Sequence, residues 1–481
     1  MKRPNIVIIL IDDLGWRDLG CYGSSFYETP RLDELAQEGI KFTNAYASCP
    51  VCSPTRASIM TGKYPARVGL TNFIAGTRQG RMIEAPFLHY LPLTETSIAT
   101  ELKKGGYHTW HIGKWHLGDE EFYPEKHGFD VNIGGCYLGM PVGGYFSPWN
   151  NPALPDVEPG TYLTDYLTDK AIELIKNRKD DEPFFLNFCH YAVHTPIQAP
   201  KELVDKYQKK AKALAIDEIN PFVDCGEMPV LPYPWDKGNP MPRIQQRVIQ
   251  SDPEYAAMIE NLDTNIGQLL DTLQEEGLAE DTLLVFVSDN GGLATAEGSP
   301  TCNAPLSNGK GWDREGGVRV CQIIRWPAMI KQHIQSAEPV QSCDFYPTFL
   351  EAAGLPLKPE LHRDGVSLMP IISGDGEMPE RPLFWHFPHY GNQGGQPAAW
   401  VLRDDWKLIH RYDSGSDELF NISADISESI NRIDEYPELA AELKQLLLDW
   451  QNDVEAKIPL PNPEWEALYA MVPKVPNNAH E

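Results

Sequence analysis

Short apolar runs alternate along the chain with stretches of helical spacing. Residues 6–11 form an unbroken apolar run, residues 31–38 repeat their apolar positions at helical intervals, and residues 184–189 are apolar again except for Asn187. A long helical pattern over 254–276 is followed by apolar runs at 283–287 and 318–326. Unbroken apolar runs of this length fit strands covered on both faces. Their alternation with helices predicts a largely parallel sheet between helical layers. Ligands gather beyond the carboxyl ends of strands in such sheets. Two runs end in short polar groups: Asp12 and Asp13 follow the first, and Ser288, Asp289 and Asn290 follow Val287.

Segments 134–159 and 221–242 are rich in Gly, Pro and aromatics without periodicity, and read as long ordered loops over the site. At 481 residues the chain exceeds the size at which one core stops growing. The turn-rich string SGDGEMPE at 373–380 marks the expected boundary between a large domain, 1–375, and a smaller one, 376–481. Beyond it, LFWHF, AAWVLR and WKLIHRY read as strands and 437–454 as a helix, which predicts a C-terminal α+β subdomain with an antiparallel sheet. The expected class is α/β, and no internal repeat or low-complexity tract interrupts it.

Charge changes the picture of partners. With 41 basic and 68 acidic side chains the formal net charge is −27, which disfavours nucleic acid and anionic membrane surfaces. Any anion bound here must be met by locally placed cations. The start, MKRPNIVIILIDD, has basic residues before an apolar run, but the run is short and ends in two aspartates, so it reads as a first strand and not as a signal peptide. No stretch is long and apolar enough to span a bilayer. The sequence as it stands is expected in the cytoplasm, or in the periplasm or outside the cell if a leader precedes it. Nine scattered cysteines, an odd number, do not form a disulfide scaffold. Cys189 and Cys321 sit in apolar runs as small hydrophobes; Cys52 differs.

Residues 50–62 read PVCSPTRASIMTG. Ser53 followed by Pro54 predicts an N-cap and a first helical position, with Cys52 just before the helix. Backbone N–H groups and the positive helix end then face any anion beside Cys52, and Arg56 adds a fixed charge suited to an oxyanion of sulfate or phosphate. Taken alone, this string equally fits an ordinary capped helix. Cys49 and Cys52 also form a C-x-x-C, a redox pair or half a zinc site, but no second pair exists. Lys114 and His116, in HIGKWHLG, share a face if that segment is extended, and both then reach one anion.

Cys52, Pro54, Arg56, Thr61 and Gly62 match the first signature of the formylglycine-dependent sulfatases, C/S-x-P-x-R running on to T-G, and here the chain resembles that family. The second signature, G-Y-x-T followed by G-K-x-H, is matched by Gly106, Tyr107, Thr109, Gly113, Lys114 and His116. IDDLG at the start, VHTP at His194, SDNGG at Asp289, and the WKLI and ELFN strings carry the likeness over nearly the whole chain.

The resemblance implies an α/β/α sandwich like that of alkaline phosphatase, and a Cys52 oxidised to formylglycine by a maturation enzyme. It implies one calcium ion, with magnesium as second choice, held by Asp12, Asp13, Asp289, Asn290 and the oxygen of the converted Cys52. An all-oxygen set with three carboxylates suits a hard cation, although each acidic pair alone reads as a turn or cap. By the same likeness Lys114 and Lys310 contact sulfate, His116 takes the proton from the second hydroxyl of the aldehyde hydrate, and His194 lies near the leaving oxygen. A thiolate attacking sulfur would leave a stable thiosulfonate, whereas a hydrate attacks through one hydroxyl and expels sulfate through the other. His108, His111 and His190 flank these residues as supporting or core groups.

The alternatives are a phosphodiesterase or phosphonate monoester hydrolase on the same fold, and a carbohydrate-binding relative without activity. A two-zinc phosphatase needs histidine ligands where this chain has Asn290, and every reactive position holds the expected residue type. In LFWHFPHYGNQGGQPAAW, the residues His386, His389, Tyr390, Asn392 and Gln393 suit stacking on and hydrogen-bonding a sugar, and read equally as core and turn residues. The negative charge would repel a densely sulfated polymer, which favours exo-action on a terminal sulfated sugar, with galactose or N-acetylgalactosamine sulfate as the expected substrate.

Overall fold

The computed structural model describes residues 3–78, 80–179, 182–230 and 243–472. Its main sheet runs, edge to edge, through β11 (Ile334–Ser336), β2 (Ile40–Tyr46), β10 (Arg319–Arg325), β9 (Thr282–Ser288), β1 (Asn5–Ile11), β6 (Phe184–Cys189), β4 (His108–Gly113) and β5 (Val131–Ile133). The short β12 (Val340–Gln341) also pairs with β2. All pairings are parallel except those of β10, which runs antiparallel to both β2 and β9. The central strands are buried at every position because helices cover both faces.

The pleat of β1 divides its side chains between two cores. Val7, Ile9 and Ile11 point to the layer of helices Leu163–Lys176, Lys201–Ala213 and Pro253–Glu275, while Ile6, Ile8 and Leu10 meet the layer of helices Cys52–Thr61, Ile98–Lys104 and Phe345–Ala352. Helix Pro253–Glu275 begins with Asp252 accepting from the backbone of Glu254 and Tyr255, and proline occupies its first turn.

A second sheet, β13 (Leu383–Phe387), β14 (Ala398–Arg403), β15 (Trp406–Arg411) and β16 (Asp417–Asn421), is an antiparallel meander. One face, with Trp385, Trp400 and Ile409, packs on Tyr46, Cys49, Val51 and Val318 of the larger body; the other packs on Leu443, Leu447 and Trp450 of helix Pro437–Asp453. The small sheet therefore presses on the approach to Cys52. No helix or strand interrupts 374–382, the stretch around the expected boundary.

Segment 134–159 is free of helix and strand, as its composition predicts. Segment 221–242 differs. Phe222–Glu227 is β7, an edge strand paired antiparallel with β8 (Arg243–Arg247); residues 231–242 lie outside the described residues. A further pair joins β3 (Met82–Ile83) to β17 (Leu460–Pro461).

Candidate active site

The carboxyl ends of four central strands converge. Asp12 and Asp13 leave β1, Asp289 and Asn290 leave β9, Lys114 follows β4, and His194 lies on the turn after β6. Two backbone bonds, Asp289 N to Ile11 O and Asp12 N to Ala192 O, both 3.0 Å, splice these ends together. Gly113 makes the junction possible: its φ is +94°, and a Cβ there would lie 1.8 Å from the Cys189 carbonyl oxygen. Lys114 N then donates to that same oxygen at 2.8 Å.

Cys52 is the first residue of helix Cys52–Thr61, so the helix starts two positions earlier than the expected Pro54. Val51 is the flanking extended residue, and Ser53 does not cap, because its Oγ accepts from Ile74 N at 3.3 Å. The helix is buried along its whole length, which seats Cys52 at the floor of the site. Its Sγ is 3.3 Å from His116 Nδ1. His116 reaches it from a left-handed backbone conformation, φ +55°; the extended run ends with β4 at Gly113, so Lys114 and His116 do not share a strand face as expected. Gly139 of the long loop lies against the His116 ring, where a Cβ would come within 2.5 Å of Cε1.

Around this floor three acids and three bases alternate. Lys114 Nζ donates to Asp12 Oδ2 at 2.7 Å, and Lys310 Nζ donates to Asp13 Oδ2 at 2.8 Å and lies 3.0 Å from His194 Nε2. Arg56 donates through Nε and Nη2 to Asp289 Oδ2, at 3.0 and 2.7 Å, and through Nη1 to the Lys114 carbonyl at 2.9 Å. Its guanidinium thus orients the acid and the lysine here. Asn290 Nδ2 donates to Asp13 Oδ1 at 2.8 Å. All these side chains are buried.

Burial and neighbours set the protonation. Burial pushes the Cys52 thiol up, against the pull of Lys114 and Lys310, so the unmodified group is not a ready thiolate. Burial, Lys114 and Arg56 drive His116 well below the usual imidazole range, which keeps it neutral. His194 is pushed down to about 4 by burial and Lys310 against the pull of Asp13. Burial raises Asp13, but Lys310, His194 and Lys114 outweigh it and hold the carboxyl below its ordinary range. Asp12 is raised by burial more than Lys114 can offset.

Two oxygens fit a cation. Among the described residues Asp12 Oδ1 and Asn290 Oδ1 are buried without a hydrogen-bond partner. Leaving such acceptors unsatisfied costs ~1–3 kcal/mol each, and a hard cation would satisfy both. Ligand atoms of Asp12, Asp13 and His194 lie within 4.8 Å of one another. The residues present can therefore hold a metal ion, with Asn290 and the nearby Asp289 completing an oxygen-rich set.

Other expectations resolve differently. His386 bonds the Lys457 carbonyl and Tyr412, His389 bonds Thr71, and Tyr390 accepts from Met82 N; all three are buried with protein partners. Their run belongs to β13 and the turn behind it, where burial outweighs polarity. Asn392 and Gln393 instead reach Glu297, at 2.7 and 3.4 Å. His111 and His190 are buried in the core, and half-buried His108 pairs with Glu182. Cys189 and Cys321 are buried hydrophobes, and all nine cysteines are free, Cys49 and Cys52 included. Sequence reasoning passed over Tyr145, whose hydroxyl donates to the carbonyls of Tyr191 and His194 and fixes the turn that presents His194. A tyrosine in a Gly- and Pro-rich loop gives no such signal.

Comparison with known proteins agrees with this geometry. Residues 4–355 match the family model described as Sulfatase, and 309–453 match the one described as N-sulphoglucosamine sulphohydrolase, C-terminal. The chain belongs to the sulfatase family and is a sulfuric ester hydrolase with the alkaline-phosphatase-like α/β/α fold. It is 31% identical to a sulfatase of Formosa agariphila, over 93% of this chain and 89% of that one. It is 30% identical to N-acetylgalactosamine-6-sulfatase of Homo sapiens, over 80% and 68%. Among solved structures, Ps i-CgsB in complex with k-i-k-neocarrahexaose superposes with a TM-score of 0.74 at 27% identity, covering 98% of this chain and 97% of that one. The phosphonate monoester hydrolase of Agrobacterium radiobacter shares the fold, with a TM-score of 0.62 at 20% identity over 94% and 96%.

Proposed function

We propose that the protein removes sulfate from a terminal sulfated sugar, with galactose or N-acetylgalactosamine sulfate as substrate, using Cys52 after its conversion to formylglycine by a maturation enzyme. The observation that carries this reading is the placement of Cys52 Sγ 3.3 Å from a neutral His116, between Lys114 and Lys310 and beside two unsatisfied buried oxygens. The kinship with N-acetylgalactosamine-6-sulfatase supports the sugar class.

In its converted form residue 52 supplies a hydrate with two hydroxyls, one to attack sulfur and one to expel sulfate afterwards. Asp12, Asp13, Asp289 and Asn290 would hold a calcium ion, whose charge offsets that of the sulfate oxygens. The three acids Asp12, Asp13 and Asp289 are formally balanced by Arg56, Lys114 and Lys310, three against three. A divalent cation would thus make the site positive within a chain of net charge −27. Lys114 and Lys310 can turn from the carboxylates to sulfate oxygens once the carboxylates face a cation. His116 accepts the hydrate proton at Nδ1, and Arg56 keeps Asp289 and the Lys114 carbonyl in place. His194, with Nδ1–H set 2.8 Å from the Thr195 carbonyl, has an unprotonated Nε2 that lies 3.0 Å from Lys310 Nζ, so the proton for the leaving oxygen comes from the Lys310 ammonium by way of Nε2. Substrate is then held by charge and cleaved with the Lys310–His194 pair on the departing side.

The test is a panel of monosulfated galactose and N-acetylgalactosamine, aryl sulfates, phosphate diesters and phosphonate monoesters, assayed with matured protein of known calcium content. We expect about one calcium per chain and the highest kcat/KM on a sulfated sugar. Preference for a phosphonate or phosphate ester, or activity dependent on stoichiometric zinc, would contradict it.

A further inference from the structure

Glu297 stands at the mouth of the site, outside the machinery described above. It occupies a tight turn in which Ser299 N donates to the Ala296 carbonyl at 2.7 Å, and its φ of +53° is left-handed, uncommon for a residue with a side chain. Three side chains hold its carboxylate: Thr195 Oγ1 donates to Oε2 at 3.0 Å, and Asn392 Nδ2 and Gln393 Nε2 donate to Oε1 at 2.7 and 3.4 Å. Thr195 Oγ1 is also 3.3 Å from His194 Nδ1, so the carboxylate lies one side chain beyond the histidine that faces the departing oxygen. Its negative charge acts on both His194 and Lys310.

A carboxylate has about four lone-pair positions, and these three donors leave room for about one substrate hydroxyl. The same charge, fixed by three bonds on an exposed side chain, repels a second anion on the leaving group, and salt screens that repulsion. We infer that Glu297, positioned by Thr195, Asn392 and Gln393, is a specificity-determining residue that accepts a hydrogen bond from a hydroxyl of an uncharged leaving group and rejects leaving groups bearing a second sulfate or a carboxylate. This deepens the proposed function and, for its sugar part, rests on it.

The test compares two substrate pairs in wild type, Glu297→Gln and Glu297→Asp: a monosulfated N-acetylgalactosamine against its disulfated counterpart, and phenyl sulfate against its ring-carboxylated counterpart. Wild type should prefer the uncharged member of each pair, less so as salt rises. In Glu297→Gln the preference should fall about tenfold, through a gain on the anionic member, and lose its salt dependence. Glu297→Asp should retain it. An unchanged ratio in Glu297→Gln, or equal losses on both members, would overturn the inference. Should neither sugar be cleaved while both aryl esters are, the sugar reading fails, and the aryl pair alone decides the role of Glu297.

Discussion

Replacing Arg56 with methionine keeps much of its apolar length while deleting a guanidinium that is only 3% exposed. The substitution removes three hydrogen bonds and a buried positive charge. Asp289, fully buried, loses both donors to Oδ2, so a carboxylate is left in the interior without its charge partner. Breaking a buried ion pair from one side costs ~3–5 kcal/mol, and the lost bond to the Lys114 carbonyl adds about 1.5–3 kcal/mol more. In a chain of this length a kcal/mol moves Tm by about 2 °C or less, so Arg56→Met should lower it by roughly 5–10 °C in metal-free buffer. The assay is thermal unfolding of Arg56→Met, Asp289→Asn and the double variant. Asp289→Asn removes the stranded charge, so the double variant should melt above Arg56→Met alone. Losses that simply add, or an unchanged Tm in Arg56→Met, would refute the account of Arg56 as the partner that keeps Asp289 in place.

Two other outcomes follow from the same geometry. His194→Ala should slow hydrolysis of a sulfated sugar by ~10²–10⁴-fold but an activated aryl sulfate far less, because only the sugar alkoxide needs a proton as it departs; equal losses on both esters would leave His194 as a sulfate contact. Burial pushes His111 and His190 to about 3 and His127 and His386 to about 4, below the ~6.5 of an unfolded imidazole. Their contribution to stability is therefore present above pH ~6.5 and lost as pH falls through those values, at ~1.4 kcal/mol per pH unit for each. Asp263, raised to about 6 by burial, opposes one of them over part of the range. Tm should fall steeply between pH 6.5 and 4.5, and a flat profile would contradict the neutral, buried state of these rings.

The strands that organise the site were legible because they are buried on both faces: residues 6–11, 184–189 and 283–287 differ from β1, β6 and β9 by a residue or less at either end. Edge elements were less so. β11 and β12 have three and two residues and no pattern to read, and β7 hides in a Pro- and Gly-rich stretch. The fold rule put the acids after β1 and β9 at the ligand-binding end of the sheet, but their reading as one metal set came from the family resemblance. The turn at Gly113 could not be foreseen, since its necessity comes from the Cys189 carbonyl, 76 residues away. His386, His389 and Tyr390 could be read either as sugar-recognition groups or as core and turn residues, because polarity shows in a sequence and burial does not. Glu297 was passed over: one acid in a polar loop carries no period, and only the left-handed turn and its three donors single it out.

The central claim is that Cys52 acts only after its thiol has become an aldehyde. Peptide mass spectrometry of residues 50–62, run on preparations with graded exposure to a maturation enzyme and paired with their specific activity, tests it most directly. Activity should rise in proportion to the fraction of Cys52 that has lost sulfur and gained the carbonyl oxygen, and Cys52→Ala should be inactive at every exposure. Full activity from protein whose Cys52 is entirely unmodified would contradict the account.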